Sequence, residues 1–329
     1  FTSASIVVTN NAGDILAEFQ SDMSGSYSVT VEARDTHYPL VVSASGGTDL
    51  VTNMAPDLTM LGAAIEPGAR AVANINPITT LIIEVARNRD GGLTTNNIQD
   101  AEETVLAALD TGLITMQASG TLSTSVDASN ISEVVRASEA LAEIVRRTRD
   151  LLVGTASATN GDRIIQALGS DLVDGVVDGN GGSRSDARTA AVVNIVAAQV
   201  LLESMANELH VNGVDATDAM RNAIAQVSPG TPDPTLDELT ATASMITIVK
   251  LGISAALAVQ SDAAIAELAS AVDGLQAGMD AALVGAVLPA GYRQSLDSTV
   301  IVVANGDETV IEAVNSTVRN GGAPPPPAN

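Results

Sequence analysis

The chain has 329 residues, enough for two domains with a substantial core, and its 39 acidic against 15 basic residues give a formal net charge of −24. This charge argues against nucleic acid or an anionic membrane as a partner, and the absence of cysteine excludes disulfides, thiolate metal sites and cysteine nucleophiles. Aromatic residues make up only 2% of the chain, which removes the stacking surfaces that sugar-binding and single-strand-binding proteins use, so the core must consist of Ala, Val, Ile and Leu.

The N-terminal part of the chain predicts a small module of short β-strands. Two β-prone runs, residues 5–9 and 14–19, flank Asn10-Asn-Ala-Gly13, whose residues tolerate positive φ, and this arrangement is a hairpin signal. Apolar and polar residues alternate in the runs that follow, as expected for a half-buried antiparallel sheet. The further predicted strands are residues 27–31, 38–43, 58–65 and 69–74.

Three segments of this module carry a resemblance to a known family. They read Ile6-Val-Val-Thr-Asn-Asn-Ala-Gly-Asp-Ile-Leu16, Ser24-Gly-Ser-Tyr-Ser-Val29 and Tyr38-Pro-Leu-Val-Val42. These segments resemble the carboxypeptidase regulatory-like, transthyretin-like β-sandwich modules that are common in exported bacterial proteins. Over roughly residues 3–45, the resemblance implies a sandwich fold and a secreted context; it implies no activity, because such modules serve as spacers or interaction domains. The family's usual first strand, which precedes the segment at Ile6, is missing here.

The apolar pattern changes from alternation to helical spacing at residues 72–81. Asn76 is placed to cap a helix that begins at Pro77, and a body of amphipathic or buried helices is predicted from there to residue 290. The other predicted helices cover residues 96 or 97 to 109, 132–152, 162–177, 187–209, 215 or 217 to 227, 241–259 and 262–287, with a linker at 229–234 and a capping box at 235–238.

Three of these helices have patterns that predict their surroundings. The helix over 187–209 is apolar on almost every side and is therefore predicted to be central. The helix over 241–259 carries Lys250 at its centre, where membrane insertion would cost about 3 kcal/mol, so a core helix is expected and no membrane span. On the helix over 132–152, charged residues opposite the apolar stripe predict a solvated face, formed by Glu133, Glu139, Glu143, Arg146, Arg147 and Asp150.

Strand-like sequence returns near the C-terminus. Two β-branched runs, residues 298–304 and 309–314, flank Asn305-Gly-Asp307, which is a strong hairpin signal, and a Pro-rich tail follows. The predicted fold class is therefore α+β: an N-terminal antiparallel β-sandwich of transthyretin or Ig type, an α-helical bundle domain and a C-terminal β-hairpin. The corresponding domains are residues 1–76, 77–290 and 291–318, with the tail at 319–329.

No catalytic signature is present, and no enzyme and no cofactor are predicted. His37 and His210 lack a second ligand at metal spacing, and no nucleophile elbow, Walker loop or His-Glu-x-x-His occurs. One acidic, glycine-rich loop offers the oxygen ligands that Ca²⁺ requires, without the spacing of an EF-hand; the alternative is a helix-ending loop with solvated aspartates. The candidate Ca²⁺ ligands are Asp174, Asp178, Asn180 and Asp186.

The missing first strand and the distant C-terminal strands together suggest a function. Those strands either complete the chain's own sheet or complete a neighbour's sheet by strand addition, which builds head-to-tail fibres. For the second case the predicted acceptor edge is Ser5, Ile6, Val7, Val8 and Thr9, and the predicted donor is Thr299, Val300, Ile301, Val302 and Val303. Deleting residues 296–318 is then expected to abolish assembly while leaving the helical body folded.

These observations predict a non-enzymatic structural protein, the subunit of an extracellular filament or surface assembly, whose partner is a copy of itself. An extracellular or cell-surface location also fits an acidic chain with one lysine, because the ions of salt water screen its self-repulsion. The alternative is a monomeric cell-surface or periplasmic binding protein that holds a ligand or Ca²⁺ at residues 174–186. An enzyme is the third hypothesis.

Overall fold

The computed structural model describes residues 1–113, 120–155, 160–229, 236 and 239–323 of the chain. Within these ranges the strands are β1 (Ser5–Thr9), β2 (Ile15–Gln20), β3 (Leu40–Ser45), β4 (Met60–Ala64), β5 (His210–Val211) and β6 (Val214–Asp215). The helices are α1 (Pro77–Asn88), α2 (Thr95–Ala108), α3 (Ile131–Leu152), α4 (Gly161–Asp171), α5 (Ala187–Met205), α6 (Thr217–Val227), α7 (Ala243–Val259), α8 (Ala263–Asp273), α9 (Ala281–Val287), α10 (Tyr292–Ala304) and α11 (Glu308–Arg319).

The first four strands form one antiparallel sheet in the order β2–β1–β3–β4, and β5 and β6 form a separate two-stranded hairpin. Among the described residues no second sheet faces the first, so the predicted β-sandwich is wrong. Helix α1 packs against β4, where a sandwich would have strands. The predicted strands at residues 27–31 and 69–74 are irregular, because their backbones pair with no strand among the described residues.

Helix α1 begins where the sequence predicted. The Asn76 side chain accepts a hydrogen bond from the backbone N–H of Thr79 at 2.9 Å, and the Asn76 N–H donates to the Thr79 hydroxyl, also at 2.9 Å. The same hydroxyl donates to the carbonyl of Leu61 in β4 at 2.6 Å. The capping box therefore starts the helix and also joins it to the sheet.

Helix α5 is the centre of the helical body, as predicted. From Thr189 to Met205 every residue except Asn194 is buried, and α5 packs against α3, α7, α10 and α11. At its contact with α7, the backbone of Gly252 approaches so closely that a β-carbon there would lie 2.3 Å from the carbonyl oxygen of Asn194. Glycine permits this close packing because it has no side chain.

The predicted C-terminal hairpin is wrong, because both of its runs are helical. In α10 the buried apolar residues are Leu296, Val300, Val303 and Ala304, a spacing of four, three and one that forms one helical face. The Asp307 side chain accepts from the N–H groups of Thr309 and Val310 and so caps α11. The Asn-Gly-Asp turn therefore joins two helices.

The buried apolar side chains form one continuous cluster that extends from Ala4 to Val318. It includes residues of the sheet, of α1 to α9 and of both C-terminal helices, while the division at residue 76 stays a prediction. No helix in the described part of the chain has both the length and the hydrophobicity that crossing a bilayer would require. The predicted linker, the capping box at 235–238 and the end of the Pro-rich tail lie largely outside the described residues.

Candidate functional site

The structure places both predicted interface segments where strand addition between them cannot occur. Ser5–Thr9 is an inner strand that pairs with β2 on one side and with β3 on the other, so its backbone is already occupied. The predicted donor lies on α10, where Thr299, Val300 and Val303 are buried and Ile301 and Val302 are exposed. An inner strand and a helix offer no free backbone ladder, which corrects the prediction.

One edge of the sheet, formed by β4, is closed by α1 and the segment before it. In β4 the Leu61 N–H donates to the Thr80 hydroxyl at 2.8 Å, and Leu61 bridges to Asn76. A β-carbon added at Gly62 would lie 2.1 Å from the carbonyl oxygen of Asn74, so the chain lies directly against this strand. All five residues of β4 are buried. No further strand can pair with the β4 edge.

The other edge of the sheet, formed by β2, is open. Within the described residues β2 pairs with β1 and with no other strand, and Ile15 at its start is 60% exposed. The pairing with β1 contains an irregularity at Ile15 and Leu16, where two residues of β2 face Thr9. A bulge increases the local twist, so the regular part of this edge runs from Ala17 onward.

The turn after β2 holds the strand in place. The carboxylate of Asp22 accepts hydrogen bonds from the N–H groups of Ser24 at 2.8 Å and Ser26 at 2.9 Å, and from the Ser24 hydroxyl at 2.6 Å. The ring of Phe19 lies 5.8 Å from that of Tyr27, whose hydroxyl donates to the carbonyl of Ala73. Burial raises the pKa of Tyr27 to about 12. These contacts fix the edge in a defined conformation.

The residues predicted to bind Ca²⁺ are each engaged in other interactions. Asp186 caps α5 by accepting from the N–H of Thr189 at 2.7 Å, and Asp178 pairs with Arg319 of α11 at 2.6 Å. Asp174 accepts from the N–H of Val176, while the N–H of Asn180 donates to Asp178. Across the residues that the structure describes, no group of three or more His, Asp or Glu side chains is arranged to hold a metal ion.

A neighbouring carboxylate organises this loop instead. Asp171, at the end of α4, accepts from the N–H groups of Gly179 at 2.9 Å and Gly181 at 3.1 Å. A β-carbon at Gly181 would lie 1.8 Å from the Asp171 carbonyl oxygen, so the loop folds tightly around it. Burial raises the pKa of Asp171 to about 6, although the two N–H groups act in the opposite direction. The sequence pattern marked the loop but not this role.

Buried charges on α3 form a network that sequence reasoning missed, because it interpreted them as a solvated face. Arg146 pairs with Glu143 at 2.8 Å, with Glu139 at 2.9 Å and more distantly with Asp49 in the loop after β3, at 3.8 Å. Burial, followed by the negative charge of Asp49, raises the pKa of Glu139 to about 7. Three carboxylates thus share one guanidinium, and the loop is tied to α3 through it.

The network continues through Arg147 to the central helix. Arg147 binds Glu143 at 2.9 Å and forms a two-pronged pair with Glu203 of α5 at 2.8 and 3.1 Å. Glu203 also accepts from the N–H of His210 at 3.0 Å and lies 3.3 Å from the Arg293 Nε. A single carboxylate in an otherwise apolar helix must have a partner when buried, and Glu203 was the one sequence signal for this network.

A cavity of about 370 Å³ lies at the start of α10, beside this network. Arg293 lines it and pairs with Glu208 at 2.7 Å, and its guanidinium carbon lies 5.3 Å from the centre of the Tyr292 ring. The Tyr292 hydroxyl is buried, and burial raises the pKa of this phenol well above its usual value. The cavity therefore offers one cation that is already paired with carboxylates.

Comparisons with known proteins add no assignment. No protein family matches the chain, and neither the curated proteins nor the solved structures contain a significant match.

Proposed function

We propose that this protein is a non-enzymatic structural component of an extracellular or cell-surface assembly and that it associates with copies of itself through β2. The observation that carries the proposal is the β2 edge, which is open among the described residues while the β4 edge of the same sheet is closed. An exposed strand presents unpaired N–H and C=O groups to any chain that can form a ladder with them. The predicted strand exchange with residues 299–303 is not part of this proposal.

Charge sets the conditions for this association. Two subunits of charge −24 repel each other at low ionic strength, and salt shortens the range of that repulsion to about 8 Å at physiological ionic strength and about 3 Å at 1 M. The edge itself carries only one charge, Glu18. Association is therefore expected to be favoured by salt, as suits a protein that works outside the cell.

The buried acids support a structural role more than a catalytic one. Glu139 and Asp171, the two carboxyls whose pKa is raised, are each held by groups of the protein itself. Neither lines the cavity beside Arg293. A catalytic acid would need access to a substrate at such a cavity.

Sedimentation velocity over a wide range of protein and salt concentrations tests the proposal, with Ile15→Glu as the variant. Each copy then carries an added carboxylate on the strand that already holds Glu18, and the extra repulsion between two edges of like charge should weaken association several-fold. Ile301→Glu on α10 is the matched control, since it makes the same charge change at an exposed isoleucine away from the sheet. Monomers under all conditions, or equal weakening by both variants, would contradict the proposal.

A second candidate, a monomeric cell-surface or periplasmic binding protein, is favoured by the cavity beside Arg293. A small carboxylate ligand could replace Glu208 in its pair with this arginine, whose guanidinium suits two-pronged carboxylate recognition. Calorimetric titration of the monomer with a series of small dicarboxylates tests it. Saturable binding that Arg293→Gln abolishes would favour this function, and heats of dilution alone would remove it.

A further inference from the structure

We infer that the partner of β2 is the β2 strand of a second copy, paired antiparallel about a two-fold axis, so that two four-stranded sheets join into one of eight strands. This inference rests on the proposed self-association and specifies its symmetry. It also specifies its size, because a two-fold contact of this kind closes at the dimer and does not grow into a filament.

The closed β4 edge of the sheet determines the symmetry of the contact between two copies. Head-to-tail growth by pairing the edges of sheets needs two different free edges, one on each side of the subunit. The β4 edge is occupied by Asn76 and Thr80 and is crowded by the chain at Asn74. Within the described residues β2 is the one free edge of this four-stranded sheet, and pairing with the same edge of a second copy makes the interface isologous.

The pleat of the strand limits which registers are possible. Ala17 and Phe19 lie opposite the buried residues Val8 and Ile6 of β1, whereas Glu18 lies on the other face of the sheet. A two-fold axis perpendicular to the sheet places the same face of both subunits on one side. Each residue must therefore lie opposite a residue whose side chain is on the same face of the sheet. The axis therefore passes midway between one residue of β2 and the same residue of the second copy.

Charge and the bulge then favour a register centred on Phe19. This register places Glu18 opposite Gln20 of the second copy and Asp22 opposite Leu16, so no two acidic side chains face each other. A register centred on Glu18 would place that carboxylate opposite its own copy. A register centred on Ala17 would pair Glu18 with Leu16 and Phe19 with Ile15, so its central pairs would fall in the irregular part of the strand, which the register centred on Phe19 reaches only at its outermost pair.

Disulfide trapping tests this register, and the absence of native cysteine makes it specific. Glu18→Cys and Gln20→Cys are made separately, at two exposed positions, and mixed in equal amounts under mild oxidation. Directly opposite residues in an antiparallel pair lie about 4.5–5.5 Å apart between Cα atoms, which suits a disulfide. The mixture should form covalent heterodimers about tenfold faster than either variant alone. Gln294→Cys, exposed on α10, is the control for random collision.

A charge exchange provides a second measurement that does not depend on disulfide chemistry. Gln20→Glu should weaken the dimer several-fold because it places like charges opposite Glu18, and Gln20→Lys should strengthen it. The same two changes at Gln294 control for the altered net charge. Far-UV circular dichroism and the thermal midpoint of each variant show that it is folded.

The outcomes separate this inference from the function on which it rests. Trapped heterodimers together with opposite effects of Gln20→Glu and Gln20→Lys would support it. Oligomers in sedimentation that are neither trapped nor sensitive to residue 20, or open filaments in electron micrographs, would overturn it while leaving self-association in place. Monomers at every salt and protein concentration would overturn both.

Discussion

Glu139 shows how the fold changes the chemistry of a single residue. It lies on α3 among Arg146, Glu143 and Asp49, and burial raises its pKa from an ordinary value of 4.5 to about 7. An acid whose pKa is higher in the folded state binds its proton more tightly there than in the unfolded chain. Its contribution to stability is therefore complete below pH 4.5 and is lost as the pH rises through 7.

The free energy of unfolding should therefore decrease as the pH rises toward neutral. Between pH 5 and pH 8 the wild-type free energy of unfolding should fall by an amount on the order of 3 kcal/mol from Glu139, and Glu139→Gln should remove this fall. Urea unfolding at several pH values measures it. The remaining fall below pH 6 belongs to Asp171, whose pKa is raised to about 6. Glu103→Gln, at an exposed site on α2, is the control. If the free energy of unfolding of Glu139→Gln depended on pH as in the wild type, a residue other than Glu139 would be responsible for that dependence.

Packing between elements explains why the C-terminal runs are helical. β-branched residues favour strands when the neighbouring surface is a sheet, but α10 and α11 lie against α5 and α7. The buried apolar residues of α11, Ile311, Val314 and Val318, are three and four residues apart, and the Asn315 amide donates to the Ala187 carbonyl at 2.8 Å. Tertiary contact therefore overrides a weak local preference.

Two helical glycines give a matched test of helix packing. Gly252→Ala on α7 should destabilise the protein by about 1–3 kcal/mol, because its β-carbon would meet Asn194 and Ala198 of α5 at 2.3 and 2.5 Å. Gly285→Ala on α9 meets no atom closer than 3.7 Å and should be neutral or stabilise by about 0.5–1 kcal/mol. Urea midpoints of the two variants measure the difference. Equal effects would mean that α5 and α7 do not pack as closely as described.

At the scale of the whole molecule, the C-terminal helices belong to the core that the rest of the chain forms. Helices α10 and α11 contribute Leu296, Val300, Val303, Ile311, Val314 and Val318 to the buried cluster. The expectation that the helical body stays folded without residues 296–318 is therefore reversed, because their removal exposes the faces of α5 and α7 that they cover.

We accordingly expect deletion of residues 296–318 to abolish cooperative unfolding and to expose apolar surface. Calorimetry and binding of a hydrophobic dye measure these two effects. Val302→Ala, an exposed position in the same segment, should unfold like the wild type. If the deletion variant unfolded with the same calorimetric transition as the wild type, the C-terminal helices would not stabilise the rest of the protein.

Little of the candidate site could be read from the sequence. The hairpin that contains β2 was predicted from its turn residues, but the open edge was assigned to β1, since pairing partners depend on residues far apart in the chain. The Asp-rich loop was recognised, yet its contact with Arg319 joins distant parts of the chain. The charge network on α3 was missed because burial of a charged face depends on which helix covers it.

The sequence by itself determined what local interactions determine: the hairpin of β1 and β2, the cap at Asn76 and the burial of α5, which is apolar on every side. Each of these signals lies within about twenty residues. Only the tertiary structure decided that residues 298–314 are helical, that β1 is an inner strand and that Glu139 holds its proton near neutral pH. In each case the free energy that decides the outcome comes from a surface contributed by a distant segment, which local pattern does not contain.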